Sequence, residues 1–287
     1  MDVVLDIGIS GVLMGLVYAL LALGLTVIFG IMDTVNFAHG EFLMLGMYAG
    51  YLTYAYLYPE PLAGVPVAGL VGMLLGVLAY TLLVKRLLTG PPIAQIFGTF
   101  GLMLFLRYGA LAVFGPNLRS ATQGLVVAKR LVVGGLTLDA AKVVAAAGSA
   151  FLFGLVYLML RRTRLGLALQ ATAANREAAR YMGIDTDRMN LIGWALGGAT
   201  AGMAGALLVN FYYVSPTVGM VFSMITFTTV ALGGFGSVPG ALIAGLLVGL
   251  IEVFTAQVIS PQLKLAVIYT VFFLVVLFRP RGLLGAR

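Results

Sequence analysis

Four residues able to bind a small polar solute stand together in the segment Val35–Asn36–Phe37–Ala38–His39–Gly40–Glu41, between two apolar runs. Asn36, His39 and Glu41 offer an amide, an imidazole and a carboxylate, and a neutral imidazole can both donate and accept a hydrogen bond. Gly40 among them allows close approach of a backbone or ligand. Hydrolytic, metal and nucleotide chemistry find less material. His39 is the single histidine and the chain has no cysteine, which excludes a multi-histidine or thiolate metal site. No Ser–His–acid arrangement stands out. A phosphate-cradling GxxxxGK[ST] loop is absent, since the chain contains no Gly–Lys pair. Catalysis by this chain alone is not expected, nor is a cofactor bound by it.

Two more ionisable residues sit inside apolar runs. Arg107 lies about two-thirds of the way through 93–114, and Glu252 lies toward the far end of 237–257. Such groups are costly in lipid unless paired or facing water, which makes each a functional candidate. For Arg107 the favoured reading is a side chain that snorkels to the outer headgroups.

A second concentration of charge is the stretch RRTRLGLALQATAANREAARYMGIDTDRMN, residues 161–190, with six arginines in a chain that is 9% charged and 61% hydrophobic. Within it, Ala171 to Met182 reads as one short helix, alanine-rich with arginine and glutamate on an exposed face, and Gly183 is its stop signal. Asp185 and Asp187 open the turn into the next apolar run. The helix is either an amphipathic connector resting at a membrane surface or a docking element for a soluble partner.

The elements that position these groups are membrane helices. A mean hydropathy of +1.08 excludes an ordinary soluble domain. The formal charge of +7 comes from basic residues at the ends of apolar runs, the pattern of cytoplasmic loops and not of nucleic-acid binding. A helix needs about 20 apolar residues to cross a bilayer. Spans are expected near 7–31, 42–58, 62–84, 93–114, 138–160, 191–213, 237–257 and 264–278. The first is too long for a signal-peptide core and has no basic n-region. The shorter run 220–232 either crosses or re-enters. If it crosses, Lys85–Arg86, the 161–190 loop and the C-terminal arginines all lie inside, giving nine crossings with the N-terminus out and the C-terminus in. The fold class is therefore an all-α polytopic bundle of eight to nine spans, a single membrane domain over residues 1–287 with the 161–190 loop in the cytoplasm.

Glycines at four-residue spacing recur within the spans, as Gly11/Gly15, Gly72/Gly76, Gly193/Gly197, Gly198/Gly202 and Gly245/Gly249. They predict closely packed helices, in a transporter core or at a dimer seam. Val126 to Leu138, with Gly134–Gly135, predicts a small hairpin in the outer loop. Gly233 to Gly240 reads as a glycine turn with Pro239 opening the next helix. The Asn36–Glu41 segment is either a cytoplasmic turn or a helix broken at depth, where polar groups line a cavity.

Glu177–Ala178–Ala179 followed by Gly183 resembles the opening of the EAA signature of ABC importer permeases. The later Ile-x-Leu-Pro portion is replaced by Leu191–Ile192–Gly193–Trp194. That departure points away from sugar-type permeases and toward the branched-chain amino-acid subfamily. Four other stretches are similar to that subfamily: Gly15–Leu20 through Phe29–Gly30, Val35–Glu41, Leu232–Gly240 and Arg279–Gly285. The resemblance spans nearly the whole chain. It implies a permease subunit in a bacterial inner membrane, importing branched-chain or other small apolar amino acids, or urea, amides or small carboxylates. It further implies a related second permease in a heterodimer, two subunits that bind ATP and Mg, and an external binding protein. Arg176, Glu177, Ala178, Ala179, Arg180 and Gly183 would then couple to the ATPases. Asn36, His39, Gly40 and Glu41 would be candidates for the substrate path. The reading from another class is a self-contained secondary transporter or channel, whose coupling carboxylate could be only Glu41 or Glu252.

Overall fold

Apolar runs with no polar face fold here as helices buried in, or wrapped around, a helical bundle. The computed structural model describes residues 2–88, 90–133 and 136–285. Helix α1 (Asp2–Met32) stops at Asp33, which adopts a left-handed φ of 52°. After an irregular segment, α2 (His39–Leu52) runs into a π turn (Thr53–Leu57). A 3₁₀ turn (Pro61–Ala63) leads to α3 (Gly64–Leu78), prolonged by a second π turn and α4 (Lys85–Leu87). Helix α5 (Pro92–Phe114) follows. The hairpin β1 (Arg130–Val133) and β2 (Leu136–Asp139) is antiparallel, with Arg130 opposite Asp139. Helix α6 (Ala140–Arg162) leads to the two short helices α7 (Arg164–Ala174) and α8 (Arg176–Tyr181). Then come α9 (Thr186–Leu208), α10 (Val218–Gly233), α11 (Val238–Phe254) and, after another π and 3₁₀ turn, α12 (Lys264–Phe278).

Among the described residues, seven helical stretches are long and apolar enough to cross a membrane, and α10 is a shorter apolar helix. With α2 and its π turn this is the polytopic bundle expected from the sequence. Helix α1 is central, packed by α6, α9, α10 and α11, while α3 lies along α9. The spaced glycines form these seams. A Cβ on Gly72 would meet the Gly198 carbonyl oxygen at 2.1 Å, and one on Gly249 would meet the Gly15 nitrogen at 2.4 Å. The glycine pattern thus builds the interior of this chain. Helices α5 and α12 lie at the periphery, with most of their surface uncovered.

Helix α10 joins opposite ends of the bundle. Just before it, Val214 makes a two-way backbone bridge with Arg119 in the loop that carries the β-hairpin. At its other end Leu283 N–H donates to the Leu232 carbonyl (2.8 Å) and Leu284 N–H to that of Gly233 (3.0 Å). The run 220–232 therefore passes from the hairpin end to the end holding the C-terminal tail and does not turn back. The predicted hairpin is present as β1 and β2, and Gly134–Gly135 lie outside the described residues. The helix expected over 171–182 is broken. Asn175 is extended (φ −159°, ψ 109°), and its side chain accepts from the Ala178 N–H to start α8 afresh. An Asx cap within the alanine-rich run outcompetes helix continuation.

Candidate functional site

The segment between α1 and α2 climbs back into the bundle. Asp33 ends α1 by donating its N–H to the Phe29 carbonyl (2.8 Å), and its left-handed conformation reverses the chain. Thr34 Oγ1 donates to Gln95 Oε1 (2.7 Å) and Thr99 Oγ1 to the Val35 carbonyl (3.2 Å), so α5 holds the ascending strand of backbone. Asn36 Oδ1 accepts from the Ala38 N–H (3.0 Å), a side-chain turn just ahead of α2. His39 Nε2 then donates to the Leu21 carbonyl (3.1 Å), eleven residues before α1 ends at Met32. At about 1.5 Å per residue, α2 begins roughly 16 Å inside the end of α1. Of the two readings of this segment, the structure has the helix broken at depth and not the turn at the surface.

Asn36, His39 and Glu41 are all fully buried. Donation from Nε2 fixes the neutral ring's tautomer and leaves Nδ1 as an acceptor, and Nδ1 has no partner. Asn36 Nδ2, Glu41 Oε2 and Ser223 Oγ of α10 are likewise buried without hydrogen bonds. Glu41 Oε1 receives Arg107 Nε (3.0 Å) and Nη2. Arg107 thus pairs across the bundle, contrary to the snorkelling expected of it. A charge within reach of a buried carboxylate gains more there than from distant headgroups. Gly40 and Gly219 meet face to face: a Cβ on Gly40 would lie 2.2 Å from the Gly219 carbonyl oxygen and 2.0 Å from Ser223 Oγ. The four predicted residues thus lie together at the start of α2 but meet different neighbours: His39 meets α1, Gly40 meets α10, and Glu41 meets Arg107 of α5.

The second predicted group forms a turn at the end that holds the C-terminal tail. Thr163 caps α7, Asn175 caps α8, and Asp185 accepts from the N–H groups of Asp187 and Arg188 to cap α9. Gly183 has φ 82°, and Ile184 N–H returns to the Ala179 carbonyl (3.0 Å). Ala179 is buried, while Glu177, Ala178 and Arg180 face outward. Arg180 Nε donates to Thr186 Oγ1 (2.8 Å). Arg176 is half-buried, its Nε without a partner. Asp187 accepts from Lys85 Nζ (2.7 Å) and the Tyr80 hydroxyl (3.0 Å), which fastens the turn to the end of α3. Helix α7 also lines a cavity of about 370 Å³ with Gly30, Asp33, Gly236 and Leu284, next to the start of the climbing segment.

A bundle whose interior holds a broken helix and whose end carries a capped, outward-facing turn is a transporter's architecture, and the comparisons agree. Residues 8–276 match the family model described as "Branched-chain amino acid transport system / permease component". The chain belongs to this family. The permease is 32% identical to the high-affinity branched-chain amino acid transport system permease protein LivH of Escherichia coli K12, over 96% of this chain and 94% of that one. It is 29% identical to BraD of Pseudomonas aeruginosa, which carries the same description, with the same coverage. A ribose import permease, RbsC of Escherichia coli K12, is 31% identical over only 36% of the permease. No solved structure matches it. The relatives are transport permeases and not enzymes, and the permease is a membrane-spanning transport component of the same kind.

Sequence reasoning missed the partners of the polar break: Arg107 as the counter-ion of Glu41, and Gly219 and Ser223 as its lid. The available signal was Arg107 itself, since a charge two-thirds through a span calls for a partner at that depth. Glu252, the other charge in a span, is likewise paired, with Lys264 Nζ at 2.7 Å and with the Tyr18 hydroxyl.

Proposed function

We propose that this permease is the translocation subunit of an ATP-binding-cassette importer for branched-chain or related small apolar amino acids in a bacterial inner membrane. Its N-terminus lies outside and its C-terminus in the cytoplasm. It works as a heterodimer with a related permease, above two ATPases that bind ATP and Mg, and receives its solute from an external binding protein. The observation that carries this reading is the α7–α8 turn. Three side-chain caps and Gly183 hold it in shape, yet it presents Glu177 and Arg180 outward. A surface built this rigidly suits force transfer from a soluble partner better than it suits a solvated connector. The names of the full-length relatives supply the substrate class. The basic residues gathered at the turn's end support the orientation. Arg107 keeps 15% of its side chain exposed on the largely uncovered α5, where lipid would be a costly neighbour, and this favours a second permease against that face.

Coupling to an ion gradient is the weaker reading, because Glu41 and Glu252 are each held by a cation of the chain. Along the substrate path, Asn36, His39 and Glu41 supply the buried polar atoms without partners, and Gly40 against Gly219 forms the constriction.

The test is reconstitution with the ATPases and binding protein. Glu177→Lys or Gly183→Val is expected to lower leucine uptake by roughly tenfold or more while ATP hydrolysis persists and the chain stays inserted. Normal uptake per ATP in both variants would sink the docking role.

A further inference from the structure

At the hairpin end, α1, α6, α11 and the loop after α9 enclose a cavity of about 290 Å³ that shares no lining residue with the polar break. Its wall is mixed in a particular way. Met14, Phe211 and Tyr212 are apolar, while Lys142, Glu252 and Gln257 are polar. Glu252 is 6% exposed and fixed, with one oxygen on Lys264 Nζ (2.7 Å) and the other on the Tyr18 hydroxyl. A carboxylate has about four lone-pair positions, so it retains acceptor capacity toward the cavity. Lys142 is half-buried in the first turn of α6 and has no ion-pair partner among the described residues. Lys264 is paired with Glu252, and Lys142 is the cavity's cation without an ion pair among the described residues.

The cavity also has a mouth. Ser10, Lys142 and Gln257 line both it and an adjoining cavity of about 510 Å³, whose wall includes Asp6, Lys129, Arg130 and Asp139 of the hairpin end. On the inner side, Tyr212 and Tyr18 both pack on Phe222 of α10, with ring centroids 5.3 and 6.3 Å away. The next residue along α10 is Ser223, which faces Gly40 at the polar break. The cavity thus adjoins the helix that closes the break.

The geometry points to a binding site for an aliphatic α-amino acid in this cavity, separate from the polar break. Lys142 takes the carboxylate. The acceptor positions that Glu252 keeps free of Lys264 and Tyr18 take the ammonium. Met14 and Phe211 pack on the aliphatic side chain. A volume near 300 Å³ is the small end of ordinary ligand pockets, in keeping with a solute of this size. Every moiety of a zwitterion with an apolar tail finds its complement, whereas a sugar would leave Lys142 without a counter-charge. The site rests on the reading of the permease as an amino-acid importer and makes the outer end of this subunit a waiting position for solute released by the binding protein.

The test uses the permease complex with its ATPases in nanodiscs, without nucleotide or binding protein, and L-leucine as probe. Saturation-transfer-difference NMR, which detects weak binding, is run with 4-methylpentanoate, lacking the ammonium, and 3-methylbutylamine, lacking the carboxylate. Leucine is expected to bind, with both analogues roughly tenfold or more weaker. Lys142→Ala should weaken leucine by about tenfold and leave the amine as tight or tighter, and Lys142→Arg should restore most of the loss. Lys142 is half-buried and makes no ion pair, so its replacement tests the site without disturbing the Glu252–Lys264–Tyr18 trio. Absence of leucine binding, or equal binding by wild type and Lys142→Ala, overturns the site. Leucine uptake with the binding protein is measured in parallel. Normal uptake alongside either negative result removes this site and leaves the importer reading standing. Failure of the wild-type complex to import any branched-chain amino acid removes both.

Discussion

The glycine seams and the polar break solve opposite problems with the same residue type. Along α3 and α9, Gly72 and Gly198 remove side chains so that two continuous helices touch backbone to backbone. At the break, Gly40 and Gly219 also bring backbones together, but around Asn36, His39, Glu41 and Ser223, several of whose polar atoms have no partner. The first contact is made between backbone atoms. The second leaves hydrogen-bonding capacity buried, which costs free energy unless another state of the protein, or a solute, uses it. The two contacts thus differ in the unpartnered polar atoms that gather around the glycines of the break.

The sharpest way to break the comparison is at the ion pair. Glu41→Ala strands Arg107 beside a buried site and is expected to lower stability by about 3–5 kcal/mol, read as a fall in the thermal midpoint of the detergent-purified chain. Replacing both partners, as in Glu41→Met with Arg107→Met, should recover most of that stability but not leucine uptake. Recovery of uptake as well would make the break an ordinary packing contact. Gly72→Val addresses the seam. Its Cβ would lie 2.1 Å from a backbone carbonyl oxygen that has little freedom to move. A loss of about 1–3 kcal/mol is expected, with uptake per ATP unchanged in the protein that folds. A changed coupling ratio would mean that the seam also moves. The mildest changes are Asn36→Ala and His39→Ala, each removing one hydrogen bond, or about 1 kcal/mol of stability. Uptake should nevertheless fall roughly tenfold, measured against the amount of inserted protein. Loss of stability and uptake in proportion would erase the distinction between the regions.

Much of this was legible in the chain. The apolar runs gave the spans to within a few residues, as at 264–278, where helix α12 has the same limits. Glycine spacing marked the seams, and Gly183 marked a helix stop that the structure fills with a left-handed residue. The Asn36–Glu41 cluster stood out both as polar groups between apolar runs and as a stretch similar to the permease subfamily. Two local features were read wrongly. The alanines of 171–182 suggested one helix, but Asn175 had a cap to make. Arg107 was assigned to headgroups because nothing in its own span could answer it.

Sequence by itself determined that this chain lies in a membrane, roughly where it crosses, and which residues are too polar to be there without a reason. Those are properties of single segments, set by the cost of moving each side chain and peptide group out of water. Tertiary structure alone decided that α2 starts at the depth of Leu21, that Arg107 of α5 answers Glu41, and that Lys264 and Tyr18 answer Glu252. Each of these joins residues 12 to 234 positions apart. Hydropathy and spacing describe how a segment meets its solvent, whereas a pairing depends on which helices lie side by side, and that is fixed only when the whole bundle packs.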